Sequence, residues 1–415
     1  MNNNQAFVAH LGNIRPIEGA DNIVVASVIL DGIEVTNVVV GKDVKDGQKG
    51  VYFDANMMLE ATTIIADYPD LAKYLTKTLR VRTIKLRGTY SDGLFVEIDK
   101  FFKYDKKANE WTEGYAFTHI GNKKICEKYT RPIRVNDNNK QGKKANKKHE
   151  SRMIEGQFRF HIDTDQLPRN IYRIKPDDVI SISRKFHGTS AIVSNCLVKK
   201  KLTFFQRILK KIGFPIVDSE YDYIYSSRSV IKNGNTNTGF YHTDIWTSAG
   251  RQFEGRLHQG ETIYFEIVGF TDNGKCIQKN YNYGCAPNKN KILVYRITKT
   301  ALDGSVCEYG WQAMKERCVE LGVEHVTEFY FGRAADLFPI EIGDEWCNNF
   351  LQKLKETFLE KKVNENIGKK MPDEGIVLRK EAIGIQAFKL KSLSFIEGEV
   401  KASEEENNEN MEDDQ

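Results

Sequence analysis

A chain of 415 residues, 40% hydrophobic and 28% charged, is long enough for two domains with true cores, and no apolar run reaches membrane-spanning length. Its seven cysteines are scattered, odd in number and never spaced as CxxC, which excludes a disulfide framework and a zinc ribbon and points to a cytosolic or other reducing compartment. The formal net charge of +4 hides a split: Ser403 to Gln415 is nearly all Glu, Asp and Asn, so the remaining body is more basic and suits either a polyanionic partner or a plain solvated surface.

The N-terminal stretch lacks a charged segment followed by a long apolar one, so no secretory signal is expected. From Ala6 to about Lys100 short strands alternate with turn signals at Asp31-Gly32, Asp46-Gly47 and Asp92-Gly93. The expected strands are Ile23 to Leu30, Ile33 to Val40, Gly50 to Phe53, Leu79 to Leu86 and Gly93 to Ile98. About five short strands in this length suggest a small β-barrel of the OB type across residues 1–130. One strand carries Arg80, Arg82, Lys85 and Arg87. Period-two geometry puts Arg80 and Arg82 on one face, to contact phosphates or simply to keep an edge strand soluble.

Residues 131–153 are rich in Asn, Lys and Gly without apolar periodicity, which predicts a basic flexible linker. A second basic run from Lys199 to Lys211 is interleaved with Leu202, Phe204, Phe205, Ile208 and Leu209, the pattern of an amphipathic inserted element. Residues 154–400 mix strands (Val179 to Ser183, Thr262 to Val268, Ile292 to Ile297, Gly375 to Leu378, Ala387 to Leu390) with helices (Asp244 to Leu257, Gly310 to Leu321, Glu345 to Val363). Without regular βα alternation, this predicts an α+β domain on antiparallel sheets. Residues 401–415 are expected to be a disordered acidic tail.

The sharpest local feature follows the strand at 179: Ser183-Arg184-Lys185-Phe186-His187-Gly188-Thr189-Ser190. A lysine at a strand end can set its amine beside a phosphate, and the glycine lets backbone approach closely. Alone it is equally a strand-to-turn junction. Further motifs follow in order: Arg228 in Ser226-Ser227-Arg228-Ser229, Glu266 in Glu266-Ile267-Val268-Gly269, Tyr295-Arg296, Glu374-Gly375-Ile376-Val377 and Lys389-Leu390-Lys391. Lys389 and Lys391 share a strand face, where two ammonium groups make sense only opposite a polyanion, and a carboxylate opening an apolar strand needs a partner or a metal.

This ordered set, Lys-x-His-Gly, Glu-Ile-Val-Gly, Tyr-Arg, Glu-Gly-Ile-Val and Lys-Leu-Lys, resembles the covalent nucleotidyltransferase superfamily of polynucleotide ligases and capping enzymes. Within it, the chain is similar to RNA ligases that carry an OB domain ahead of the ligase domain. The resemblance spans about Phe158 to Ser392 and implies an ATP-dependent ligase with magnesium or manganese. It makes Lys185 the nucleophile that becomes adenylylated. Gln166, Leu167, His187, Gly188, Arg228, Glu266, Tyr295, Lys389 and Lys391 become nucleotide contacts, and Glu266 and Glu374 metal ligands. Tyr295 could stack on the base or pack in a core; His187 could orient the loop or be a buried structural histidine. An unperturbed lysine is neutral in about one of a few thousand molecules at pH 7, so a lysine nucleophile calls for neighbouring cations or a metal. Classical DNA ligases and capping enzymes place their barrel after the last lysine motif, where only an acidic tail follows here. The expected partner is RNA, at nicks in an RNA or RNA–DNA duplex, with no membrane and with the chain a monomer. The contrasting readings are an inactive RNA-binding protein and a DNA ligase or capping-type nucleotidyltransferase.

Overall fold

The structure, a computed structural model, describes residues 5–130, 152–232, 244–363 and 371–412. Most of the expected basic linker therefore lies outside the described residues. The N-terminal part is a six-stranded antiparallel sheet running Ile33–Gly41, Ile23–Leu30, Ala6–Pro16, Lys49–Phe53 and Leu94–Glu97, with Ala116–Phe117 also paired to Ala6–Pro16. Both faces are buried. Ala6, Val8, Val51 and Phe53 pack into one core with Phe101 and Leu71, while Phe7, Ala9, Val28 and Tyr52 pack into another. Apolar side chains on two successive faces explain why Ala6–Pro16 begins as a continuous apolar run.

The sheet curls until its ends approach. The Val39 amide donates to Ser91 Oγ at 2.9 Å and Thr36 Oγ1 to Asp92 Oδ2 at 3.0 Å. Ser91 and Asp92 belong to the separate hairpin Thr83–Leu86/Thr89–Asp92 that precedes Leu94–Glu97, so side chains rather than ladder hydrogen bonds bridge the gap and, among the described residues, the sheet is a curled, open path rather than a hydrogen-bonded closed barrel.

The second part has two sheets. A five-stranded sheet orders Asp165–Gln166, Gln386–Lys391, Gly375–Lys380, Val179–Lys185 and Glu328–Arg333. Helix Trp346–Phe358 covers one of its faces, burying Trp346, Phe350 and Leu354 against Ile180, Ile182, Leu378 and Phe388. Strand alternation then turns Ser183, Lys185, Lys389 and Lys391 to the opposite face. A seven-stranded sheet is built around Ser219–Ser227, Thr189–Lys199, Glu261–Gly269 and Asn290–Thr300, and helix Trp311–Glu320 packs Trp311, Met314 and Cys318 on Ile263, Phe265 and Val294. The two sheets are joined through Phe186 to Gly188. No helix among the described residues is long and apolar enough to cross a membrane.

Several elements differ from the sequence reading for identifiable reasons. The expected strand at 79–86 is only Thr83–Leu86, because Leu79 and Arg87 sit at positive φ, 59° and 44°. The expected helix at 244–257 stops at Gly250 and tightens into a 3₁₀ turn, Arg251–Phe253. The helix expected over 345–363 ends at Phe358, before Glu360 at φ 56°. Beyond Lys391 the backbone forms helix Leu393–Glu412, so the segment expected to be a disordered tail is helical through residue 412.

The N-terminal part docks on the second through buried polar contacts. Arg169 donates to Asp54 Oδ2 at 2.6 Å with the arginine side chain 3% exposed, and its guanidinium lies 4.5 Å from the centroid of the Phe7 ring. Lys355 Nζ donates to the Glu34 carbonyl at 3.2 Å, and Asn348 accepts from the Glu34 amide at 3.0 Å. A cavity of about 250 Å³ lies in this seam, lined in part by Asp54, Asp92, Gln166, Arg169, Lys355 and Lys391. Substituting Arg169→Met leaves the Asp54 carboxylate buried without its cation, and we expect a loss of about 3–5 kcal/mol in denaturant unfolding. A loss below about 1 kcal/mol would mean that water enters the seam and the pair behaves as a surface one.

Candidate active site

Strand register builds the site. Lys185 pairs with Gly375 and Gly375 with Lys391, so three neighbouring strands bring the two lysines to either side of the backbone at 375. Gly375 sits at φ 135°, and a Cβ there would lie 2.1 Å from the Leu390 carbonyl oxygen, so only glycine fits. Glu374, immediately before it, is buried. Its Oε1 lies 2.9 Å from Lys185 Nζ and 2.9 Å from Lys391 Nζ. Lys391 also reaches Glu399 Oε2 at 3.2 Å, from the C-terminal helix. One row along, Lys389 pairs with Val377 and, in parallel, with Gln166.

The link to the second sheet is equally constrained. A Cβ on Gly188 would lie 2.4 Å from the Ile267 carbonyl oxygen. The Gly188 amide donates to Glu266 Oε1 at 3.1 Å, and Gln278 Nε2 donates to the Gly188 carbonyl at 2.6 Å. The His187 amide donates to Tyr283 Oη at 2.9 Å, and its ring meets Tyr281 and Phe395 edge-on, with centroids 5.0 and 4.9 Å away. Ser190 stands opposite Glu266 across the ladder.

Charge follows from this packing. Burial alone would raise the Glu374 carboxyl, but Lys185 and Lys391 outweigh it and hold it well below the usual carboxylate range. Burial pushes Glu266 up to about 8, only partly offset by Lys185. Lys389 is lowered to about 8 by burial and then by Lys391, Lys185, Arg228 and Lys128. Lys391, on the same strand face, is raised instead because Glu374 and Glu399 lie against it. A buried carboxylate therefore anchors two ammonium groups, while a second carboxyl nearby is held protonated near neutral pH.

The remaining expected site residues divide. Arg228 reaches the cluster from the second sheet and is paired with Asp163, which also takes Lys128 at 3.1 Å from the N-terminal part. Tyr295 is half-buried, its hydroxyl 2.8 Å from Ser190 Oγ and 3.1 Å from His161 Nδ1, which favours an anchored wall over a mobile stacking ring. Leu167 is fully buried among Ile171, Ile180 and Phe388, so its side chain belongs to the core rather than to a nucleotide contact. His187, caged by aromatic rings and held neutral by burial, fits the structural reading.

Arg80 and Arg82 correct the expectation most clearly. Arg80 is buried, donates to the Ala55 carbonyl at 2.9 Å and lies 4.3 Å from the centroid of the Tyr129 ring. Arg82 donates to the Leu75 carbonyl. Both brace the fold where the strand is interrupted. Lys85 and Arg87 remain exposed.

No family model and no curated protein sequence matches the chain. Solved structures do. A Naegleria gruberi RNA ligase variant without ligand is 19% identical, with TM-score 0.61, over 96% of this chain and 99% of that one. A variant of that ligase with ATP and Mn is 19% identical, with TM-score 0.60, over 95% and 98%. The ligase with PPi is also 19% identical, with TM-score 0.59, over 95% and 98%.

The chain has the fold of an RNA ligase.

The likeness extends through both parts, including the N-terminal curled sheet. Sequence reasoning missed Glu399 as a member of this site, and took His161 and Asp163 only as part of the segment His161 to Leu167, which by resemblance precedes the nucleophile and helps seat the adenine, without giving either a role of its own. Asp163 and His161 stand in the segment 161–167 before the nucleophile strand, where an acidic residue beside a basic cluster was the available signal. Glu399 gave none, because it lies beyond the last lysine pair in a stretch that reads as tail.

Glu266 gives this site a pH signature. Its native carboxyl keeps a proton between the ordinary value of 4.5 and about 8, where the unfolded chain has released it, so this group makes stability fall as pH rises through that window. Glu266→Gln should remove that slope and be the more stable protein at pH 8 by about 1 kcal/mol or more, measured by unfolding in the absence of metal and nucleotide. Parallel pH profiles for the two proteins would show Glu266 to be ionised in the folded state.

Proposed function

We propose that the chain is an ATP-dependent RNA ligase that works through a lysyl-adenylate on Lys185. The observation that carries this reading is the convergence of Lys185 and Lys391 on one buried carboxylate oxygen, each at 2.9 Å, beside Lys389 and Arg228. So many cations around one opening suit a triphosphate. The RNA-ligase fold supports the same choice.

In the first step Lys185 releases its ammonium proton to solvent and the free amine attacks the α-phosphorus of ATP. A nitrogen–phosphorus bond forms as the bond to the bridging oxygen breaks, and the electron pair departs on pyrophosphate. Lys389 and Lys391 face the phosphate and offset its growing charge. Glu374 fixes the direction of both lysines, so the amine is aimed before ATP arrives. Next, AMP passes from Lys185 to a 5′-phosphate of RNA, and a 3′-hydroxyl then attacks that phosphate and expels AMP. Nicked duplexes are the proposed geometry, with exposed Lys85, Arg87 and Lys128 available to track the backbone.

A divalent metal fits Glu266, a half-buried carboxyl that an incoming cation would ionise; Glu374 Oε1 is already shared by two ammonium groups. No group of three or more His, Cys, Asp or Glu side chains is gathered among the described residues, so such an ion would fill its shell with phosphate oxygens and water, as magnesium and manganese do. Its chemistry would be to neutralise charge on the leaving pyrophosphate.

The test is joining of a labelled 5′-phosphorylated RNA strand at a nick, with ATP and magnesium or manganese. Wild type should seal it, a 5′-hydroxyl nick should remain open, and Lys391→Ala should lower sealing about a hundredfold or more. Failure to join any 5′-phosphorylated RNA, nicked or single-stranded, would contradict the proposal.

A further inference from the structure

The hairpin that connects Thr189–Lys199 to Ser219–Ser227 carries an inserted helix, Phe204–Lys211, that the ligase reading leaves unused. Thr203 and Gln206 cap it reciprocally: the Gln206 amide donates to Thr203 Oγ1 at 3.3 Å, and the Thr203 amide donates to Gln206 Oε1 at 2.9 Å. The helix is therefore held by its own cap, and none of its side chains is buried. Phe204 is 71% exposed, Phe205 76% and Ile212 64%, with Ile208 and Leu209 exposed between them. Spacings of i, i+1, i+4, i+5 and i+8 put these five on one face. Phe214 and Val217 continue the apolar surface past the helix end.

Charge completes the pattern. Between 199 and 217 there are Lys199, Lys200, Lys201, Arg207, Lys210 and Lys211, and no acidic residue. Lys210 lies opposite the apolar face, and Arg207 and Lys211 flank that face beside Phe204. The acids at the hairpin root are neutralised locally: Arg152 pairs with Glu220 and Asp222, each at 2.7 Å, and Lys210 with Asp218.

We infer that this hairpin tip is a peripheral docking site for an anionic lipid surface. Lying in the interface plane, it buries the Phe204, Phe205, Ile208 and Ile212 face among acyl chains while the basic side meets acidic headgroups. A lipid surface satisfies both faces at once. RNA could use the lysines but leaves Ile208, Leu209 and Ile212 in water, and a second copy approaching the same patch sets six cations against six. The sequence reading expected no membrane partner on the ground that nothing spans a bilayer; a helix that lies on one needs no such length. The tip is ten residues along the strand from Thr189, about 33 Å from the catalytic loop, so docking leaves the site open.

The experiment is co-sedimentation of the full chain with mixed phosphatidylcholine–phosphatidylserine vesicles and with pure phosphatidylcholine vesicles. Binding should need phosphatidylserine, weaken with salt, and fall about tenfold or more in the Phe204→Ser, Phe205→Ser, Ile208→Ser triple variant, at an unchanged melting temperature. In Phe205→Trp, the indole emission should shift to the blue on vesicles. No sedimentation with acidic vesicles overturns the inference, as does equal binding by the triple variant. Concentration-dependent dimers abolished by the triple variant, or RNA affinity lost with it while vesicles are ignored, would assign the patch to a second copy or to RNA instead.

Discussion

Two ammonium groups on the strands either side of Gly375–Lys380 repel one another, and Glu374 is what makes their closeness tolerable. Its Oε1 lies 2.9 Å from both Lys185 and Lys391, and those lysines in turn keep a fully buried carboxyl ionised. Neither half is stable alone: an unpaired charge at this depth costs several kcal/mol, and losing one partner strands the others. The register of three strands is fixed around this arrangement, which is why glycine stands at 375, where a side chain would meet the Leu390 carbonyl.

The rest of the molecule holds that trio in place. Helix Trp346–Phe358 fixes the far face of the five-stranded sheet, and its Lys355 caps carbonyls of the N-terminal part. Glu399 on the C-terminal helix supplies Lys391 with a second counterion, and Phe395 of the same helix packs on His187. Domain docking, the helix beyond the last lysine motif and the loop at 186–188 thus bear on one set of charges. Glu266 is the exception, held protonated by burial beside a cluster that an anionic substrate or a divalent ion would re-equilibrate.

Much of this was legible in the residues. Ile23–Leu30 forms with the bounds expected of a strand ahead of the Asp31-Gly32 turn, and Trp311–Glu320 lies within one residue of its expected ends. Lys185, Glu266, Glu374, Lys389, Lys391 and Arg228 gather as their ordered motifs imply. What failed did so where tertiary burial decides. Arg80 and Arg82 alternate like a phosphate-contacting edge, yet both are consumed by backbone carbonyls at a break in the strand. Leu167 sits in a nucleotide-like segment but points into a core. The sheet's curl is joined by Ser91 and Asp92 side chains, which no period-two pattern announces. Conversely, the amphipathic run at 199–211 was visible as a pattern, but only the lack of any buried side chain on its helix distinguishes an unpartnered surface from a core face.

The central claim is that Lys185 is the residue that takes AMP. Its most direct measurement is incubation of the full chain with ATP and manganese, proteolysis, and mass mapping of the adenylylated peptide, alongside Lys185→Ala. The account predicts a single acid-labile adenylate on the peptide containing Lys185 and none in the variant. Adenylate on another residue, or none on wild type with either magnesium or manganese, would contradict it.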